Sequence, residues 1–129
     1  MRHLMKTLDV PAFIVDEDFN IKNANDSLFT LFDIQDMSEI DDKDIFSLFA
    51  FDKEKAAQGF KDAQRTSTGG VFDFVFEVKL PESKRINLLW HVVEVKDGRG
   101  NVRGYMFASE NIQDLHSFKS VGNERYHGF

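Results

Sequence analysis

Val71-Phe72-Asp73-Phe74-Val75-Phe76-Glu77-Val78-Lys79-Leu80 decides how this chain folds. Phe72, Phe74, Phe76 and Val78 alternate with Asp73, Val75, Glu77 and Lys79. Successive side chains on a strand point to opposite faces, so this period of two predicts a strand with a wholly apolar inner face. Downstream, Pro81-Glu82-Ser83 predicts a turn, Arg85 to Lys96 a long strand, Asp97-Gly98-Arg99-Gly100 a tight turn and Asn101 to Ser109 a last strand. In the long strand both alternating sets are apolar. Ile86, Leu88, Trp90 and Val92 take one face, and Leu89, Val93 and Val95 take the other. A sheet with one face in water does not need the second set. Something is therefore expected to cover each face.

Upstream the pattern changes. Ala12 to Val15 reads as a short strand, Asp16-Glu17-Asp18 as a turn and Phe19 to Ala24 as a second strand, a hairpin at the front of the domain. Asn25 or Asp26 caps the helix that follows, with Leu28, Phe29, Leu31 and Phe32 on its apolar stripe. The Asp-rich stretch 33–44 predicts irregular turns. Asp44 caps a short helix through Ile45, Phe46, Leu48 and Phe49. Asp52 caps a longer one from Lys53 to about Ser67, which Gly69-Gly70 stops. Before Val10-Pro11, residues 1–8 can form one or two helical turns with Leu4, Met5 and Leu8 on one face. The fold class is thus α+β: a five-stranded antiparallel sheet with short helices on one face and an N-terminal helix available for the other.

Composition narrows the function. The chain has 129 residues, 42% hydrophobic and 29% charged, which suits one globular domain. Fourteen are Phe, so the core, or a cavity in it, is aromatic. The absence of Cys excludes disulfides, thiolate metal sites, a thiol nucleophile and any cofactor attached through Cys; it also fits a reducing compartment. No apolar run approaches the roughly 18 residues of a membrane span, and the polar N-terminus does not resemble a signal peptide, so a cytoplasmic location and no membrane partner are expected. The net charge is −6 and is concentrated in the front half, which repels phosphate backbones and argues against nucleic-acid binding.

In order and spacing, four segments from about Asp9 to Leu115 resemble a PAS domain. Pro11-Ala12-Phe13-Ile14-Val15-Asp16 looks like the family's first strand and acidic turn. Ile21-Lys22-Asn23-Ala24-Asn25-Asp26-Ser27-Leu28 looks like its second strand and the Asn that opens the first helix. Asp97 to Tyr105 looks like the turn before its last strand. Glu110-Asn111-Ile112-Gln113-Asp114-Leu115 looks like its terminal motif leading into a signalling helix. There Asn111 replaces the family's usual Asp, which keeps a helix cap but loses the salt bridge an Asp can make. The resemblance implies a PAS-like domain at 9–115, preceded by a cap helix at 1–8 and followed by the start of an exit helix or a tail at 116–129. It implies a sensory or dimerising module, not an enzyme, acting as the input domain of a larger signalling protein with a downstream output partner.

The residues set limits on a ligand. A flavin–cysteine adduct is excluded without Cys, and the long helix carries no His for haem, so neither cofactor is expected. His91 lies on a strand, opposite in direction to Trp90, and is expected to be a packed or partly exposed side chain. Asp16-Glu17-Asp18-Phe19-Asn20 starts like a calcium loop, but Ile21 and Ser27 stand where Gly and Glu are needed, so no metal site is expected. Asp41, Asp42 and Asp44 read as solvent-facing caps. The aromatic set is the best candidate pocket: Phe72, Phe74 and Phe76 from one strand face, Phe32, Phe46 and Phe60 from the helices, and Trp90 nearby. The ligand expected there is a small, neutral, aromatic or aliphatic molecule; the competing reading is that the rings only fill the core. Asn25 and Asn111 are the expected cap and signalling positions, and Leu4, Met5 and Leu8 the face of a homodimer. Two alternatives remain: a cone-shaped α+β enzyme of the ketosteroid-isomerase type, and a scaffold that only dimerises.

Overall fold

The structure, a computed structural model, describes residues 10–109. Its strands are β1 (Ala12–Asp16), β2 (Ile21–Ala24), β3 (Val71–Lys79), β4 (Arg85–Lys96) and β5 (Val102–Ser109). Between β2 and β3 come the helices α1 (Asp26–Phe32), α2 (Ile45–Phe49) and α3 (Lys53–Gln64). The strands form one sheet in the order β2-β1-β5-β4-β3, antiparallel throughout. The alternation at 71–79 appears directly as burial: Phe72, Phe74, Phe76 and Val78 are buried, and the residues between them are not. Each helix starts on a predicted cap. The Asn25 side chain accepts from the Leu28 amide, Asp44 from those of Phe46 and Ser47, and Asp52 from that of Lys55.

Beyond one-residue differences at the end of β1 and the start of β5, three features differ from the sequence reading. First, β2 begins at Ile21 because Phe19 leaves the strand path. The Asp16 carboxylate accepts from the amides of Asp18 and Asn20 at 2.9 and 3.0 Å, closing a turn in which Phe19 takes a φ of 67°. The ring then enters the core against Phe46, Phe60 and Tyr105. Burying a Phe stabilises by about 1.5–3 kcal/mol, which offsets the roughly 1–2 kcal/mol of a left-handed residue. Partial burial raises the Asp16 pKa, but those two amides and Lys22 outweigh it and hold the carboxyl below its ordinary value.

Second, α3 ends at Gln64, not near Ser67. Gly69 and Gly70 do not stop it; both have positive φ in a tight turn in which Thr68 and Val71 bridge each other, leading directly into β3. Third, the stretch 33–44 includes a single 3-10 turn, Met37–Glu39, held by a capping box between Asp36 and Glu39. The expected elements around residues 1–8 and 111–129, with Leu4, Met5, Leu8 and Asn111, lie outside the described residues.

Gly104 sets how closely β1 and β5 can approach. A Cβ placed there would lie 2.1 Å from the Val15 carbonyl oxygen, and that oxygen belongs to the backbone, which cannot rotate away. Gly98, in the turn before β5, has nothing within 4 Å of such an atom. Gly104→Ala is therefore expected to cost about 1–3 kcal/mol or more in urea unfolding, and Gly98→Ala to stay within about 0.5 kcal/mol. Equal effects of the two variants would show that this approach is not tight.

Candidate functional site

The inner face of the sheet and the three helices enclose an aromatic cluster. Phe72, Phe74 and Phe76 project from β3, and Trp90 and Phe107 from β4 and β5. Phe46 from α2 meets Phe74 and Phe76 edge-on, with centroids 6.2 and 6.0 Å apart. Phe60 from α3 meets Phe72 and Phe74 at 5.3 and 5.4 Å. These are the offset and edge-to-face arrangements that a ring quadrupole favours. Gly59 allows α3 to sit close, since a Cβ there would already touch Phe74 at 3.4 Å.

Of the seven aromatic residues singled out from sequence, six are buried together in this cluster. Phe32 packs against its edge. It is only half-buried and stacks on Phe49 at 4.1 Å, on the side where Phe13 meets Phe49. Helical spacing gave it a face but could not say which part of the sheet that face meets. Conversely, Phe13, Phe19, Phe49 and Phe107 belong to the cluster and were missed as site residues; for Phe13 and Phe107 the signal was their place in apolar strands.

Two features of the cluster bear on chemistry. Among the described residues, the buried polar ones are Asn25 and Ser109, and no carboxylate, Lys, Arg or His is buried. Trp90 is fully buried, and its Nε1 has no hydrogen-bond partner. Two surface hollows reach the cluster. One, of about 560 Å³, lies between α3 and β3, lined by Asp52, Lys55, Gly59, Asp62 and Phe76 among others. The other, of about 400 Å³, is lined by Phe32, Phe49, Leu48 and Leu80 among others. No three His, Cys, Asp or Glu among the described residues are placed to share a metal ion. Asp44 caps α2, and Asp42 pairs with Lys22 at 2.6 Å.

Asn25 is a second candidate position. Its side-chain oxygen accepts from the amides of Ala12 and Leu28, each at 3.0 Å, and its Nδ2 donates to the Val10 carbonyl at 2.8 Å. The end of β5 reaches the same corner, where the Ser109 amide donates to the Pro11 carbonyl at 2.9 Å. The outer face of the sheet carries a third feature. Ile14, Met106, Val93 and Val71 stand opposite one another in a row across β1, β5, β4 and β3. Val71 and Val93 are 49% and 43% exposed, and Val75 on the same face is 53% exposed. His91 also lies on this face and meets Asp73, directly across the ladder, at 2.7 Å.

The PAS fold family matches residues 1–112, and the chain belongs to it. PAS domains are typically sensor modules of signal transduction and are generally not catalytic. No curated protein sequence matches. Among solved structures, the PAS domain of an HTR-like protein from Haloarcula marismortui aligns at TM-score 0.64 and 14% identity, over 84% of this chain and 86% of that one. The PAS domain of BvgS from Bordetella pertussis aligns at 0.61 and 14%, over 93% and 95%. The dimeric receptor VqmA of Vibrio cholerae, which has a target DNA, aligns at 0.62 and 16%, over 84% of this chain and 48% of that one. At these identities the likeness is one of fold.

Phe74 sits among Phe46, Phe60, Phe76 and Phe107. Phe74→Ala is expected to cost about 3–5 kcal/mol and to leave an apolar hole that binds benzene, seen as a benzene-dependent rise in melting temperature that wild type lacks. A loss under about 1 kcal/mol would mean the ring is not packed as described.

Proposed function

We propose that this chain is a dimeric sensory module, the input domain of a signalling protein, which takes a small neutral ligand between helices and sheet. The observation that carries the dimer is the apolar row across the outer face, half-buried at Ile14 and Met106 and exposed at Val93 and Val71, with exposed Val75 beside it. A monomer gains nothing by leaving such a stripe in water. A second copy, with Leu4, Met5 and Leu8 contributing, would cover it. The corner at Asn25, where the chain enters β1 and leaves β5, supports transmission to an attached output domain or partner. Any nucleic acid in the pathway would be met by that output domain, since the net charge of this chain is −6.

The interior supports ligand binding over catalysis. Acid–base chemistry of the ketosteroid-isomerase kind needs an ionisable group facing the substrate; the described residues bury no carboxylate or His, and the hydroxyl of Tyr105, the ionisable member of the cluster, accepts from Gln64 at 3.0 Å. Haem and flavin are not part of the reading; it assigns no cofactor. A cytoplasmic location is consistent with the absence of Cys and with the described helices, none long and apolar enough to cross a membrane.

Sedimentation at micromolar concentration should give a dimer for wild type and a monomer for Val93→Lys. Because Val93 is 43% exposed, the variant should keep its fold, with a stability change within about 0.5 kcal/mol. A wild type that sediments only as a monomer, or a Val93→Lys variant that remains dimeric, would contradict the assignment of this face.

A further inference from the structure

Trp90 carries an inference about the ligand itself. Its indole is fully buried, and Nε1 is the one buried side-chain nitrogen or oxygen without a partner among the described residues. A buried donor left unpaired loses its hydration and receives nothing in return. The surrounding rings do not help. Phe13 and Phe107 stand edge-on to the indole at 5.1 and 6.1 Å, and Phe76 lies nearly parallel at 6.2 Å. Phe74, opposite Trp90 on β3, brings no acceptor; Ser109, opposite it on β5, is buried and polar, but no hydrogen bond joins it to Nε1. A water molecule is a poor solution, because buried waters ordinarily make about three hydrogen bonds and, among the described residues, Ser109 is the one buried polar side chain directly across a ladder from Trp90.

An organic molecule with an apolar body and one acceptor meets both requirements, since it packs on rings and accepts from the indole. It would be uncharged, because a carboxylate would be desolvated here without a cation to pair with. We propose that the module binds a small neutral compound bearing a carbonyl-type oxygen or ring nitrogen, held by a hydrogen bond from Trp90 Nε1. The inference rests on the ligand-sensing reading and gives that ligand a chemical class. It also names a route. Phe76 faces the indole and also lines the hollow of about 560 Å³ between α3 and β3.

The sequence holds a single Trp, so the indole N–H gives one unambiguous NMR signal. The test adds acetophenone, which carries an acceptor, and α-methylstyrene, which has the same shape without one, to the full chain. Acetophenone should bind about three- to tenfold more tightly, move the indole proton downfield and slow its exchange. Trp90→Phe should abolish the preference. If both compounds bind equally and the indole proton does not respond, the ligand-sensing reading stands and Trp90 is not the anchor. If neither raises the melting temperature nor shifts any signal, the ligand-sensing reading fails and this inference with it. The wild-type spectrum decides even if Trp90→Phe does not fold.

Discussion

One side-chain amide holds three parts of this fold together. Asn25 accepts from the amides of Ala12 and Leu28 and donates to the carbonyl of Val10. It thereby joins the start of β1, the first turn of α1 and the segment by which the chain enters. Only a side chain with both a donor and an acceptor can do this. Ala would leave buried backbone groups unpaired, and Asp would set a carboxylate oxygen against the Val10 carbonyl. Since the Ser109 amide bonds to Pro11, the exit of β5 lies at the same corner. A helix displaced by a ligand would therefore pull on the point where the chain both enters and leaves.

The aromatic cluster and the outer sheet face complement that corner. Inside, the rings of β3 and Tyr105 of β5 meet those of α2 and α3 edge to face, Phe107 of β5 lies nearly parallel to Phe60, and little but carbon lines the space. Outside, the valines of β3 and β4 face water in a row. The same two strands thus present an apolar surface to the helices and another to whatever covers the sheet. This is the arrangement expected of a module in which an event on one face is read on the other. Among the described residues it buries no carboxylate or His.

Much of this was legible in the sequence. The alternation of Phe72, Phe74 and Phe76 fixed β3 and its buried face, and Asp44 and Asp52 marked the helix starts they cap. The second apolar set on β4 announced an outer face that Val93 now displays. What was not legible depends on through-space contacts. Phe19 looked like a strand residue, and only its packing on Phe60 and Tyr105 explains its left-handed backbone. Gly69-Gly70 resembled a helix stop, but their positive φ values serve the turn into β3. The closeness of Gly104 to the Val15 carbonyl leaves no pattern along the chain. Phe32 had the right spacing for the cluster, yet its half-buried ring reaches only the edge, stacked on Phe49. Nothing in the order of residues marks Trp90 Nε1 as a donor without an acceptor.

The Asn25 amide thus makes the chain entry and α1 a single mechanical unit. Native-state hydrogen exchange of the Ala12 and Leu28 amides, both bonded to the same oxygen, tests it directly. The two should open together with equal opening free energy, and Asn25→Ala should lower both by a similar amount, about 0.5–2 kcal/mol. Independent opening of the two amides, or protection that survives Asn25→Ala at either one, would contradict it.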